Sequence, residues 1–127
     1  MKRLIIDLDG TLTDGETSDY QSASPNEAVV SQLRDYHAAG FEIVLYTARN
    51  MRTYNSSLGQ ITAKTVPGIV EWLTRHDIPY DELWVGKPWC GHQGFYVDDK
   101  AIRPDEFVSL SYDQICALVG IDPATEG

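Results

Sequence analysis

A nucleic-acid backbone asks for a basic stripe, and this sequence has too few cations to build one. Its 10 Lys and Arg stand against 19 Asp and Glu, a formal net charge of −9. No nucleic-acid partner is expected. Cysteine is scarce too. Cys90 and Cys116 are far apart and form no C-x-x-C pair, so they read as free thiols in a reducing cytosol. No stretch approaches the roughly 20 apolar residues that cross a bilayer. The first apolar run, Leu4-Ile5-Ile6, is interrupted at Asp7, which rules it out as the core of a signal peptide. A soluble, cytoplasmic protein with no membrane partner is expected. Repeats, low-complexity tracts and linkers are absent. What is present is ample apolar material, 43% of 127 residues, enough for one domain over 1–127 without staples.

The order of segments points to alternating strands and helices. Residues 2–8 are apolar and β-branched and end in acidic residues and glycine, as a buried strand feeding a loop does. Residues 10–24 are polar and carry Gly10 and Gly15, which reads as a flap-like loop. Ser24, Pro25 and Glu27 are placed to open a helix as cap, first residue and capping-box acid, and Gly40 to close it. Residues 41–46 read as a second strand and 47–62 as a loop. Residues 63–76 read as a second helix, with Pro67 in its first turn. Residues 80–85 form an expected third strand, 95–97 a fourth running into Asp98-Asp99, and 107–110 a fifth. Ser111 caps a last helix through Val119, closed by Gly120. Such alternation predicts βαβ units and a central parallel sheet with helices on both faces, a three-layer α/β/α sandwich.

In parallel sheets, sites form beyond the C-terminal ends of the strands. Four features fall there: Asp7 with Asp9, Thr47, Lys87, and Asp98 with Asp99. Carboxylates this close repel one another unless they share protons or bind a hard cation, for which Mg²⁺ is suited. An ammonium and a hydroxyl beside them call for phosphate chemistry. Gly10 permits close backbone approach, and the amides after Asp7 are candidates for an anion nest.

The motifs resemble those of the haloacid dehalogenase (HAD) superfamily. Asp7-Leu8-Asp9-Gly10-Thr11-Leu12 looks like its first motif, Thr47 after Ile43-Val44-Leu45-Tyr46 its second, Lys87 in Gly86-Lys87-Pro88 its third, and Asp98-Asp99 after Tyr96-Val97 its fourth. More narrowly, residues 47–53, 86–91 and 94–100 resemble small phosphatase-like members associated with capsular polysaccharide biosynthesis. The resemblance implies a Rossmann-like HAD core and an aspartyl-phosphate route. Asp7 is then the nucleophile and Asp9 the general acid and base. Thr47 and Lys87 donate to the phosphoryl oxygens. The metal would be held by Asp7, the backbone carbonyl of Asp9 and Asp98, with Asp99 an alternate or a partner behind it. Gly10, Thr47, Ala48, Arg49 and Lys87 are the candidate substrate contacts.

Only 39 residues separate Thr47 from Lys87, and residues 10–24 are short, so no separate cap domain is expected. Cap-less members of the superfamily take large substrates or borrow a neighbouring subunit, which makes a homo-oligomer a reasonable expectation. The expected substrate is a small phosphorylated molecule, a sugar phosphate or glycan precursor. A phosphatase of a macromolecular phosphoester and a non-catalytic HAD-like binding or regulatory domain are the alternatives. Arg49 is evenly balanced between gripping a second anion and a solvated loop role, and Arg52 favours the latter. Cys90 and His92 have ligand spacing but no second pair, so zinc is disfavoured. His37 and His76 suit helix C-termini. Trp72 is expected to pack in the core, and Trp84 and Trp89 to border the site.

Overall fold

Three of the apolar runs form strands, and their register places the site. In the computed structural model, which describes residues 2–15 and 19–124, β1 is Arg3–Asp7, β2 is Glu42–Tyr46 and β3 is Glu82–Trp84. They make one parallel sheet in the order β1-β2-β3. Asp7 lies level with Tyr46, and Tyr46 with Trp84. All three strands therefore end at one edge, and the residues that follow them converge there. The architecture is mixed α/β, as expected.

Five α-helices complete the described residues: α1 Glu27–Ala38, α2 Leu58–Lys64, α3 Val66–Arg75, α4 Pro104–Ser109 and α5 Tyr112–Val119. The core runs between sheet and helices. Leu8, Leu33, Ile43, Leu45, Ile69 and Leu73 lose all solvent contact there, and Val29, Val30 and Trp72 nearly all. At about 25 cal/mol per Å², this burial is the main stabilising term. Phe107 of α4 stacks on Tyr36 of α1 with ring centroids 5.3 Å apart, and Phe41 meets the same Tyr36 edge-on at 4.9 Å. No helix among the described residues is long and apolar enough to cross a membrane.

Several expected elements differ. The cap of α1 is Asn26, whose side chain accepts from the Val29 amide at 3.4 Å, not Ser24. Pro25 is held extended by a bridge to Thr13, so the helix starts later. The single helix over 63–76 is two. Thr65 breaks it, because Pro67 offers no N–H to the turn behind and its ring crowds that carbonyl. The loop after Thr47 is shorter than expected, since Ser57 caps α2 through the Gln60 amide. The fifth strand is a helix: Pro104 takes the first position of α4, and the Glu106 carboxylate accepts from the Arg103 amide at 2.9 Å. Residues 95–97 form no strand, and their side chains stand in solvent. The last helix agrees with expectation, with Ser111 as its cap and Gly120 at φ 75° as its close.

The expected flap is partly docked. Residues 16–18 of it, like Met1 and residues 125–127, lie outside the described residues. Its second half turns through a 3₁₀ segment, Tyr20–Ser22, against α3. Trp72 donates from Nε1 to the Ala23 carbonyl at 2.9 Å, and Arg75 donates to the Gln21 carbonyl at 2.8 Å. Gly68 leaves room for Gln21; a Cβ there would meet Gln21 Nε2 at 2.5 Å. Trp72→Phe removes the pyrrole ring with its N–H, which opens a small cavity and strands the buried Ala23 carbonyl. It should cost about 1–3 kcal/mol in urea unfolding, and an unchanged midpoint would show that this bond does not anchor the flap.

Candidate active site

The loop after β1 folds tightly on itself. The Leu8 carbonyl accepts from the amides of Thr11, Leu12 and Thr13 at 3.4, 2.9 and 3.0 Å. The Gly10 amide donates to Thr13 Oγ1 at 2.9 Å, and Gly10 sits at φ 79°, a left-handed conformation that glycine adopts without strain. These amides are consumed within the turn, so the anion nest expected after Asp7 does not include them. The turn instead fixes Asp7 and Asp9 at the mouth of one pocket of about 570 Å³.

Each carboxylate has its own cation. Lys87 Nζ stands 3.5 Å from Asp7 Oδ1, and Thr11 Oγ1 donates to Asp7 Oδ2 at 3.2 Å. Arg49 grips Asp9 with both arms of its fork, Nε to Oδ2 at 3.0 Å and a terminal nitrogen to Oδ1 at 2.6 Å. The Arg49 side chain is only 3% exposed. Its other face lies on the Tyr20 ring, 4.0 Å from the centroid. A bidentate pair of this kind is both strong and directional.

The second strand end supplies the floor. Thr47 is buried, its amide donates to the Trp84 carbonyl at 3.0 Å, and its carbonyl accepts from the Lys87 amide at 3.2 Å. This ties the second and third strand ends together and aims Lys87 at Asp7. Thr47 Oγ1 accepts from the Arg49 amide at 3.0 Å, which leaves its hydroxyl hydrogen available to a ligand. Gly86 is needed just before: it sits at φ 88°, and a Cβ would meet Leu58 Cδ2 at 2.6 Å.

Asp7, Asp9, Gly10, Thr47, Ala48, Arg49 and Lys87 all line the one pocket, so the structure brings together every expected residue but two. Asp98 and Asp99 stay outside it, exposed, where Asp98 accepts from the Lys100 amide at 2.8 Å. They miss the sheet edge because the strand meant to carry them is not in the sheet. No group of three or more His, Cys, Asp or Glu able to hold a metal occurs among the described residues. Cys90 and His92 reach the rim, but His92 packs edge-on to Trp89 at 5.0 Å. Arg52 also lines the rim, 5.8 Å over the Trp89 ring.

Two contacts escaped the sequence. Thr11 is legible as part of the first motif but gave no sign that its hydroxyl would reach Asp7. Tyr20 belongs to the flap, and only the docking of that flap on α3 carries its ring to Arg49. The one available signal was an aromatic residue alone in a polar stretch.

No family model matches the chain, and no curated protein does. A protein from Vibrio cholerae with a known crystal structure is 57% identical over 94% of this chain and 98% of that one, with a TM-score of 0.92. The two chains belong to one family. A chain of the Pnkp1/Rnl/Hen1 complex is 20% identical over 86% of this chain and 34% of that one, with a TM-score of 0.50. That likeness is one of fold alone.

Burial pushes the Asp7 carboxyl above its ordinary value; Lys87 and the Thr11 hydroxyl pull it partly back, and the Asp9 charge adds to the rise. A third of the side chain, 33%, still meets solvent, which tempers the effect. A raised acid binds its proton more tightly folded than unfolded. The folded state is therefore favoured at low pH and loses that advantage as pH climbs from the ordinary 3.8 through the folded value. In EDTA, Asp7→Asn should match wild type in thermal midpoint at the acid end and exceed it by a few degrees near neutrality. Equal midpoints across the range would show that the carboxylate is not strained.

Proposed function

We propose that the chain is a phosphomonoester hydrolase with a three-layer HAD-like core, acting through an aspartyl-phosphate. The observation that carries this reading is the placement of Asp7 and Asp9 from one turn in one pocket, with Lys87 and the Thr47 hydroxyl beside them. Mg²⁺ is the cation such chemistry would use. One copy offers it Asp7 and the Asp9 backbone carbonyl, but Asp98 and Asp99 lie outside the pocket and Arg49 holds both side-chain oxygens of Asp9, which is not a complete donor set. The steps below therefore rest on the chain's own residues.

A phosphate entering the pocket meets Lys87, Thr47 and Arg49. The anion competes with Asp9 for the Arg49 fork and so frees Asp9 as it binds. Asp7 attacks phosphorus, a bond forms from its oxygen to phosphorus, and the bond to the leaving oxygen breaks. Asp9, once released from Arg49, takes a proton from solvent and gives it to that oxygen. Water then attacks the aspartyl-phosphate, Asp9 takes the water's proton, and Asp7 is released with inorganic phosphate. Lys87 offsets charge on the oxygens throughout.

The pocket mouth favours a small sugar phosphate or glycan precursor. Tyr20, Trp89 and Tyr96 give it flat apolar walls, and Arg52 adds a cation at the rim. A second reading, a binding or regulatory domain, draws on the same Arg49–Asp9 pair: if nothing displaces Arg49, Asp9 cannot move a proton. With Mg²⁺ and an aryl phosphate, wild type should turn over, Asp7→Asn should be silent, and Asp9→Asn should fall by about 10²–10⁴-fold. A broad panel of phosphomonoesters with no Mg²⁺-dependent turnover would leave the binding reading standing. Turnover surviving in Asp7→Asn would remove Asp7 as nucleophile.

A further inference from the structure

Two unfinished surfaces occur in the same chain. β1 lies at the edge of the sheet, with no strand on its outer side among the described residues. Ile5, at its centre, is 59% exposed. A free edge of this kind is a template for another strand. Residues 95–97 are the complementary piece: Phe95, Tyr96 and Val97 are rich in strand preference yet 79%, 52% and 88% exposed. The segment is tied back to its own third-strand loop, not to β1. Tyr96 Oη donates to the Pro88 carbonyl at 2.6 Å, the Tyr96 ring lies 4.3 Å from Lys87 Nζ, and only glycine fits at 94, where a Cβ would overlap the Cys90 carbonyl.

We propose that residues 94–99 of one copy add as a parallel strand to the β1 edge of a second copy, and that the exchange is reciprocal. The sheet is parallel throughout. A parallel strand ending in Asp98-Asp99 brings these carboxylates level with Asp7, at the edge that carries Lys87, Arg49 and Arg52. At the opposite end of β1, Arg3 is already paired with Glu42 and Glu82 at 3.5 and 3.1 Å. Charge therefore favours the site end. The four apolar side chains expose about 500 Å² per copy. A two-fold pair has at most about 1,000 Å² of them to cover before any backbone is counted, near the lower limit for a specific interface. Because each copy owns both surfaces, the pairing closes on itself. The carboxylate missing from the pocket is then supplied by the partner copy, a consequence that rests on the hydrolase reading.

Light scattering on the full chain at about 50 μM should give twice the chain mass, and Val97→Asp, at a position with no packing to lose, should give a monomer with an unchanged circular dichroism spectrum. A monomeric wild type, or a dimer indifferent to Val97→Asp, overturns the proposal whatever the activity. Asp7→Asn and Asp98→Asn, each silent alone, should recover roughly a quarter of wild-type turnover when co-expressed, since half the dimers are mixed and each mixed dimer rebuilds one of its two sites. No recovery from two variants that are dimeric and silent would place Asp98 in its own copy's site and overturn the exchange. Absence of turnover in wild type would instead remove the hydrolase reading and leave the mass measurement to decide.

Discussion

The parallel register of β1 on β2 sets the position of everything else. Pairing Asp7 with Tyr46 puts the next residue, Thr47, beside the turn that follows Asp7. Pairing Tyr46 with Trp84 lets Thr47 bond backward to Trp84 and forward to Lys87. A slip by one residue would turn Ile43 and Leu45 out of the core and Asp7 away from Lys87. Burial of the β2 side chains, which have no other place to go, therefore holds the site in register.

Register alone would leave two carboxylates facing each other across a short turn. The repulsion is met by dividing the cations: Lys87 serves Asp7 and Arg49 serves Asp9. The two pairs differ in kind. Lys87 approaches as a single point charge at 3.5 Å and leaves Asp7 partly open to solvent. Arg49 is buried, forked and stacked on Tyr20, so releasing Asp9 needs an anion able to replace a bidentate contact. The flap thus bears on the site through Tyr20, although among the described residues it contributes no charged group to the pocket.

Much of this was legible in the residues. The three strands announce themselves by apolar runs ending in polar residues, and Asp7, Thr47 and Lys87 follow directly at their ends. The misreadings have local causes. Arg103-Pro104-Asp105-Glu106 is a helix start, and it overrides the strand preference of the apolar residues after it. Pro67 suits a first turn, but the turn it opens is that of a second helix, so the first ends before it. The Arg49–Asp9 pair joins two loops far apart in sequence, and no periodicity encodes which neutral or charged partner a loop arginine will choose.

Residues 95–97 are the instructive case, because their composition and their conformation disagree. Phe, Tyr and Val in succession carry the preference for a pleated, half-buried surface, yet here they sit in water. Such a conflict between local preference and environment is costly to keep in a folded chain. β1, which ends in Asp7, has an edge that no strand covers among the described residues. The proposed pairing between copies would resolve the local preference and the empty edge together. The sequence pattern marks a strand preference at 95–97 that the fold of one copy leaves unmet.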